Sequence, residues 1–108
     1  MAMLDRDLRI ARELKEQIAA SVPLVDFKVF GSRARGDADE DSDMDVFIEV
    51  EELDRAIKEK ISDITWEVGI NNDCMVICTL VYSRYDLEKS PHRVSPIVKV
   101  IMEEGIRI

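Results

Sequence analysis

Cysteine and histidine are scarce in this chain, positive charge is outnumbered by negative, and no apolar run is long enough to span a membrane. Two cysteines and one histidine among 108 residues make a zinc site improbable, since His92 has no paired-cysteine motif to join. Cys74 and Cys78 fall four residues apart on one expected strand and face the same side. In a regular strand their Cα atoms lie too far apart to bridge. No signal peptide and no membrane-spanning segment is apparent, so the chain reads as cytoplasmic and its thiols as reduced core residues. With 15 basic against 23 acidic side chains, the net charge of −8 argues against direct nucleic-acid binding, which rests on phosphate neutralisation. The same sign suits a basic partner such as an RNA-cutting enzyme. Repeats, linkers and low-complexity segments are also lacking. A hydrophobic content of 46% argues for a folded globule, and the length for a single domain over residues 1–108.

Periodicity orders the chain as α-β-β-α-β-α-α. Leu4, Leu8, Ala11, Leu14 or Lys15, and Ile18 form a helical stripe within Met3–Ala20, closed by Pro23. Val25–Phe30 is the first expected strand and Asp43–Val50 the second. Leu53, Ile57, Ile61, Ile64 and Val68 mark another helix, ending near Gly69 or Asn71-Asn72. Cys74–Tyr82 is an almost unbroken apolar run, the pattern of a strand buried on both faces. Ser83 with Asp86 reads as a capping box, and Ser95-Pro96 as a cap followed by proline at the first helical position. That last helix stops at Gly105.

The informative spacing is Gly31-Ser32, ten residues, then Asp43-Met44-Asp45. Side chains alternate along a strand, so Asp43 and Asp45 project from one face. Carboxylates that close repel each other unless a cation lies between them. Oxygen ligation of this kind suits Mg²⁺ completed by substrate phosphates. Gly31 permits close backbone approach to a phosphate, and Ser32 can donate a hydroxyl hydrogen bond. The competing reading is a solvated loop acid, because Asp37, Asp39, Glu40 and Asp41 share the same polar segment.

The stretch Phe30-Gly31-Ser32-Arg33-Ala34-Arg35-Gly36 through Ser42-Asp43-Met44-Asp45 resembles the minimal nucleotidyltransferases of the DNA polymerase β superfamily. It looks most like the antitoxin-type members that are paired with small helical (HEPN) ribonuclease toxins. The resemblance runs from about Val25 to the C-terminus, including the Glu104-Gly105 close of the last helix. It implies an α/β (α+β) fold, a small mixed sheet with helices packed on one side, the acidic pair and the Gly-Ser turn meeting on the open side. It also implies transfer of a nucleoside monophosphate, AMP among them, from a triphosphate such as ATP to a hydroxyl, with Mg²⁺ as cofactor. On this pattern Asp43 and Asp45 are catalytic metal ligands, while Gly31 and Ser32 hold the β- and γ-phosphates. Arg33 and Arg35 are candidate phosphate or acceptor contacts, against pairing with Asp37, Asp39 or Asp41 in their own loop.

Members of that superfamily usually add a third carboxylate from a neighbouring strand, and Cys74–Tyr82 contains none. Asp73, just before the run, is the nearest candidate for a third catalytic metal ligand, with Glu67 a poorer one; Asp73 equally suits a turn after Asn71-Asn72. Two functions follow from the resemblance. One is an enzyme whose acceptor is a tyrosine of the partner toxin; the other is an inactive relative that neutralises a toxin by complex formation. Transfer to an antibiotic fits less well, because no acceptor domain is present. Trp66 lies opposite the apolar arc of its helix, where it either anchors a partner, a toxin or a second copy of the chain, or covers the edge of the core.

Overall fold

The computed structural model describes residues 3–89 and 95–108, and His92 lies outside them. Its elements are α1 (Asp5–Ser21), β1 (Leu24–Phe30), α2 (Gly31–Arg35), β2 (Met44–Val50), α3 (Arg55–Asn71), β3 (Ile77–Ser83), α4 (Arg84–Glu88), α5 (Pro96–Glu104) and β4 (Ile106–Arg107). The strands form one mixed sheet in the order β3-β2-β1-β4. β1 is antiparallel to β2 and β4, while β2 and β3 run parallel, connected by α3. A parallel pair needs such a crossover, whereas β1 and β2 are joined through α2 and a polar loop. This is the expected α/β class with a small mixed sheet.

Alternation along the strands separates two faces. Phe27, Val29, Met44, Val46, Ile48 and Val50 are buried against α1 and α3 in the main core. The other face carries Lys28, Phe30, Asp45, Phe47 and Glu49, which the register places on neighbouring strands. That face is partly covered as well, because Ile101 of α5 packs with Phe30 and Phe47 in a second, smaller cluster. Both long helices therefore lie together on one side as expected, and α5 covers part of the open side.

The local signals hold where they are chemically specific. Asp54 caps α3 by accepting from the Ile57 amide at 2.8 Å. Ser83 and Asp86 form the expected capping box, and Pro96 opens α5. The stripe of α1 begins elsewhere than expected. Asp7, Ile10, Ala11, Leu14 and Ile18 are its buried positions, whereas Leu4 is exposed.

The apolar run 74–82 departs further from expectation. Asp73 and Cys74 take left-handed backbone angles, φ 60° and 56°, which close a turn and delay the strand to Ile77. That strand is an edge of the sheet, so its residues are half-buried or exposed rather than sandwiched. Both cysteines are free, as expected, but exposed rather than in the core.

Candidate active site

Gly31 follows β1 directly and starts α2 with φ +76°, a left-handed angle that glycine adopts without steric cost. A Cβ placed there would stand 2.5 Å from Asp45 Oδ2. Conformation disfavours a side chain at this position, and space does so unless the Asp45 carboxylate turns away. The cause lies in the register: Phe30 pairs with Asp45, so the first residue beyond β1 must pass the Asp45 carboxylate. Ser32 is the next residue of α2, and the opening amides of a helix have no intrahelical acceptors. Phosphate oxygens can accept from such amides.

Asp43 immediately precedes β2 and is exposed. Its Oδ2 lies 3.6 Å from Cys78 Sγ, and Cys78 is the β3 partner of Asp45. Asp43, Asp45 and Cys78 thus gather at one end of the open face. Partial burial, and then the charge of Asp43, hold the Asp45 carboxyl above the usual aspartate range. Burial is the larger cause; the smaller, the charge of Asp43, is the part that a divalent cation between the two carboxylates would relieve.

The expected third carboxylate is not at this place. Asp73 is exposed and pairs with Arg6 of α1, Nη2 to Oδ2 2.9 Å. Among the described residues no group of three His, Cys, Asp or Glu side chains is placed to hold a metal, so Asp73 does not join Asp43 and Asp45. Glu67 is an exposed residue of α3. The strand position beside Asp45, where a neighbouring strand would offer an acid, is occupied by Cys78. The parallel register of β2 and β3 was the missing signal, because without it no residue of the 74–82 run can be matched to Asp45. Two carboxylates are still a sufficient protein contribution to a Mg²⁺ ion completed by triphosphate and water oxygens.

Arg33 has a role that its sequence position conceals. It is buried, contrary to a substrate contact. Its Nη1 donates to Asp7 Oδ1 at 3.1 Å, its Nη2 to the carbonyls of Glu40 at 3.0 Å and Ser42 at 2.8 Å, and its Nε to Ser42 O at 3.1 Å. The fork that would suit a phosphate is spent on the loop entering Asp43, and Asp7, itself buried on α1, balances its charge. Arg33 therefore positions Asp43 through the backbone of Ser42. The expected loop acids are not its partners. Arg35 follows the loop reading, donating to Asp37 Oδ2 at 3.2 Å while exposed to solvent.

Comparison with known proteins identifies the family. A family model described as "Nucleotidyltransferase domain" matches residues 10–108. No curated protein matches the sequence significantly. Among solved structures, a proposed nucleotidyltransferase from Sulfolobus solfataricus is similar, with 24% identity and a TM-score of 0.53 over 94% of this chain and 78% of that one; the likeness is one of fold. No helix among the described residues is long and apolar enough to cross a membrane. With its match running from the middle of α1 to the last residue, the chain belongs to the nucleotidyltransferase domain family.

Proposed function

We propose that the chain transfers a nucleoside monophosphate, AMP in the first instance, from a triphosphate to a hydroxyl, with Asp43 and Asp45 holding Mg²⁺. The observation that supports this reading is the contact between Gly31 and Asp45, which brings the backbone proposed to bind phosphate against the carboxylate proposed to bind metal. Bound Mg²⁺ would supply charge neutralisation for the leaving pyrophosphate and activation of the attacking oxygen. The residues themselves bind and orient. Gly31 and Ser32 offer backbone amides and a hydroxyl to the β- and γ-phosphates, Asp43 and Asp45 would hold the ion, and Arg33 holds the entrance loop. The acceptor we propose is a tyrosine of a small helical HEPN-type toxin, in the cytoplasm, with the chain as its antitoxin.

Incubation of the chain and Mg²⁺ with α-labelled ATP, GTP, CTP or UTP and a small helical HEPN-type protein from the same organism tests the proposal. Label should appear on a tyrosine of that protein; no transfer from any of the four would overturn it. Cys78 favours a second reading, a binding module with weak or no turnover, because a thiol stands where a third carboxylate would complete the metal site. On that reading the toxin is silenced by complex formation without label transfer.

A further inference from the structure

An apolar groove of about 430 Å³ runs between the outer side of α3 and the start of β3, away from Asp43 and Asp45. Trp66, 72% exposed, and Ile70 form one wall and Val76, 59% exposed, the other. A second groove continues it along β3, with Lys58 beside Leu80, Val81 and Tyr82. Ser62 and Thr79 line both grooves and mark the middle of the surface. β3 is also an open sheet edge. The Met44 amide donates to Val76 O, so in a parallel ladder the even-numbered residues of β3 bond to β2. Ile77, Thr79 and Val81 then direct their amides and carbonyls outward, where no strand of the described residues meets them. Such an edge is a template for another strand.

We infer that this surface binds a second copy of the chain about a two-fold axis near Ser62 and Thr79, joining the two sheets through antiparallel β3 strands. Self-pairing about Thr79 sets Ile77 against Val81 and Cys78 against Leu80, which keeps every side chain on its own face of the sheet. It also places outward-directed residues opposite each other, as an antiparallel ladder requires. Around Ser62 the two α3 helices run antiparallel, so Trp66 of each copy meets Lys58 of the other. An ammonium over an indole face is a favourable pair, and two-fold symmetry supplies it twice.

The charges of α3 are ordered for the same arrangement. Arg55, Lys58 and Lys60 outnumber Glu59 in its first half, where Arg55 pairs with Glu59, while Asp63 and Glu67 have no basic residue beside them in its second. An antiparallel copy brings these unlike ends together. The net charge of −8 on each chain opposes association, but salt screens it beyond about 8 Å at physiological ionic strength, whereas Lys58 and Trp66 interact at contact. A small residue, Ser62, at the axis allows close approach of the helices.

Sedimentation equilibrium of the chain over a concentration series tests this directly. The wild-type mass should approach twice 12.4 kDa, and Trp66→Glu should raise the dissociation constant by about tenfold or more. Thr79→Pro, which removes an outward amide, should do the same, with thermal melting as the check that each variant is folded. Should Thr79→Pro fail to fold, Ser62→Cys in a Cys74→Ser/Cys78→Ser background gives an independent result. Oxidation should yield a covalent dimer whose cross-linked peptides join position 62 to position 62. A wild-type chain that stays monomeric throughout overturns the inference and assigns the groove to a different protein. So does a dimer indifferent to Trp66→Glu, or one that forms no disulfide at position 62.

Discussion

Gly31 lies against the Asp45 carboxylate so closely that a methyl group between them has no room: its carbon would stand 2.5 Å from Asp45 Oδ2. Gly31→Ala therefore faces two penalties. The left-handed angle at φ +76° costs an alanine about 1–2 kcal/mol, and the clash must displace either Asp45 or the start of α2. A lower thermal midpoint together with a loss of nucleotide binding larger than that of Ser32→Ala is expected. Ser32→Ala removes one hydroxyl hydrogen bond, worth roughly 1–3 kcal/mol if left uncompensated, and leaves the amides in place. Equal binding by Gly31→Ala and wild type would show that the turn does not serve the phosphates.

Asp45 is destabilising to the metal-free chain when ionised. Its carboxyl is raised above the usual range by burial and by Asp43, so folding is favoured while it is protonated and loses that contribution as pH rises through its folded value. Asp45→Asn should accordingly raise the thermal midpoint at pH 7 without metal, and this gain should shrink as the pH falls through the raised folded value and vanish below the normal aspartate range. The same substitution should lower nucleotidyl transfer by about 10²-fold or more, since a catalytic ion supplies several kcal/mol. Melting curves across pH, paired with transfer assays, separate the two effects; a midpoint difference that is constant with pH would contradict the electrostatic origin.

Arg33→Ala should damage the fold before it affects the chemistry. It leaves Asp7 as an uncompensated buried carboxylate and strips the Glu40 and Ser42 carbonyls of their donors. Loss of one partner of a buried pair costs roughly 3–5 kcal/mol, which denaturant unfolding would register. An exposed phosphate contact would instead leave the unfolding midpoint unchanged and weaken nucleotide binding alone.

Asp73 and Cys78 give opposite expectations for the third ligand. Asp73→Asn breaks only the exposed pair with Arg6, worth about 1 kcal/mol or less, and should leave transfer close to wild type. Cys78→Asp puts a carboxylate at the strand position beside Asp45 and should tighten Mg²⁺ binding, read by titration calorimetry with ATP present. Loss of transfer in Asp73→Asn would return Asp73 to the site.

These residues also show where sequence is readable. The capping pair Ser83 and Asp86 and the alternation that puts Asp43 and Asp45 together depend on neighbours within three residues, and in the structure the pair caps α4 while Asp43 and Asp45 both meet Cys78. Gly31 was identifiable from its place between a strand and a polar loop. Arg33 was not, because its partner Asp7 lies 26 residues away and an arginine near a phosphate turn has the same composition whichever way it points. Nor was the slot of Cys78, which exists only once β3 is in register with β2. The apolar run 74–82 shows that hydrophobicity does not distinguish a central strand from an edge strand that leaves a groove open along α3.

Nucleotide binding measured with and without metal tests the central claim most directly, because it requires no acceptor. Titration of wild type and Asp45→Asn with ATP, in Mg²⁺ and in EDTA, should give tight binding only for wild type with Mg²⁺, weakened by about 10²-fold in the other three cases. Equal ATP affinity in all four would contradict the assignment of Asp45 and Gly31 to a metal–nucleotide site.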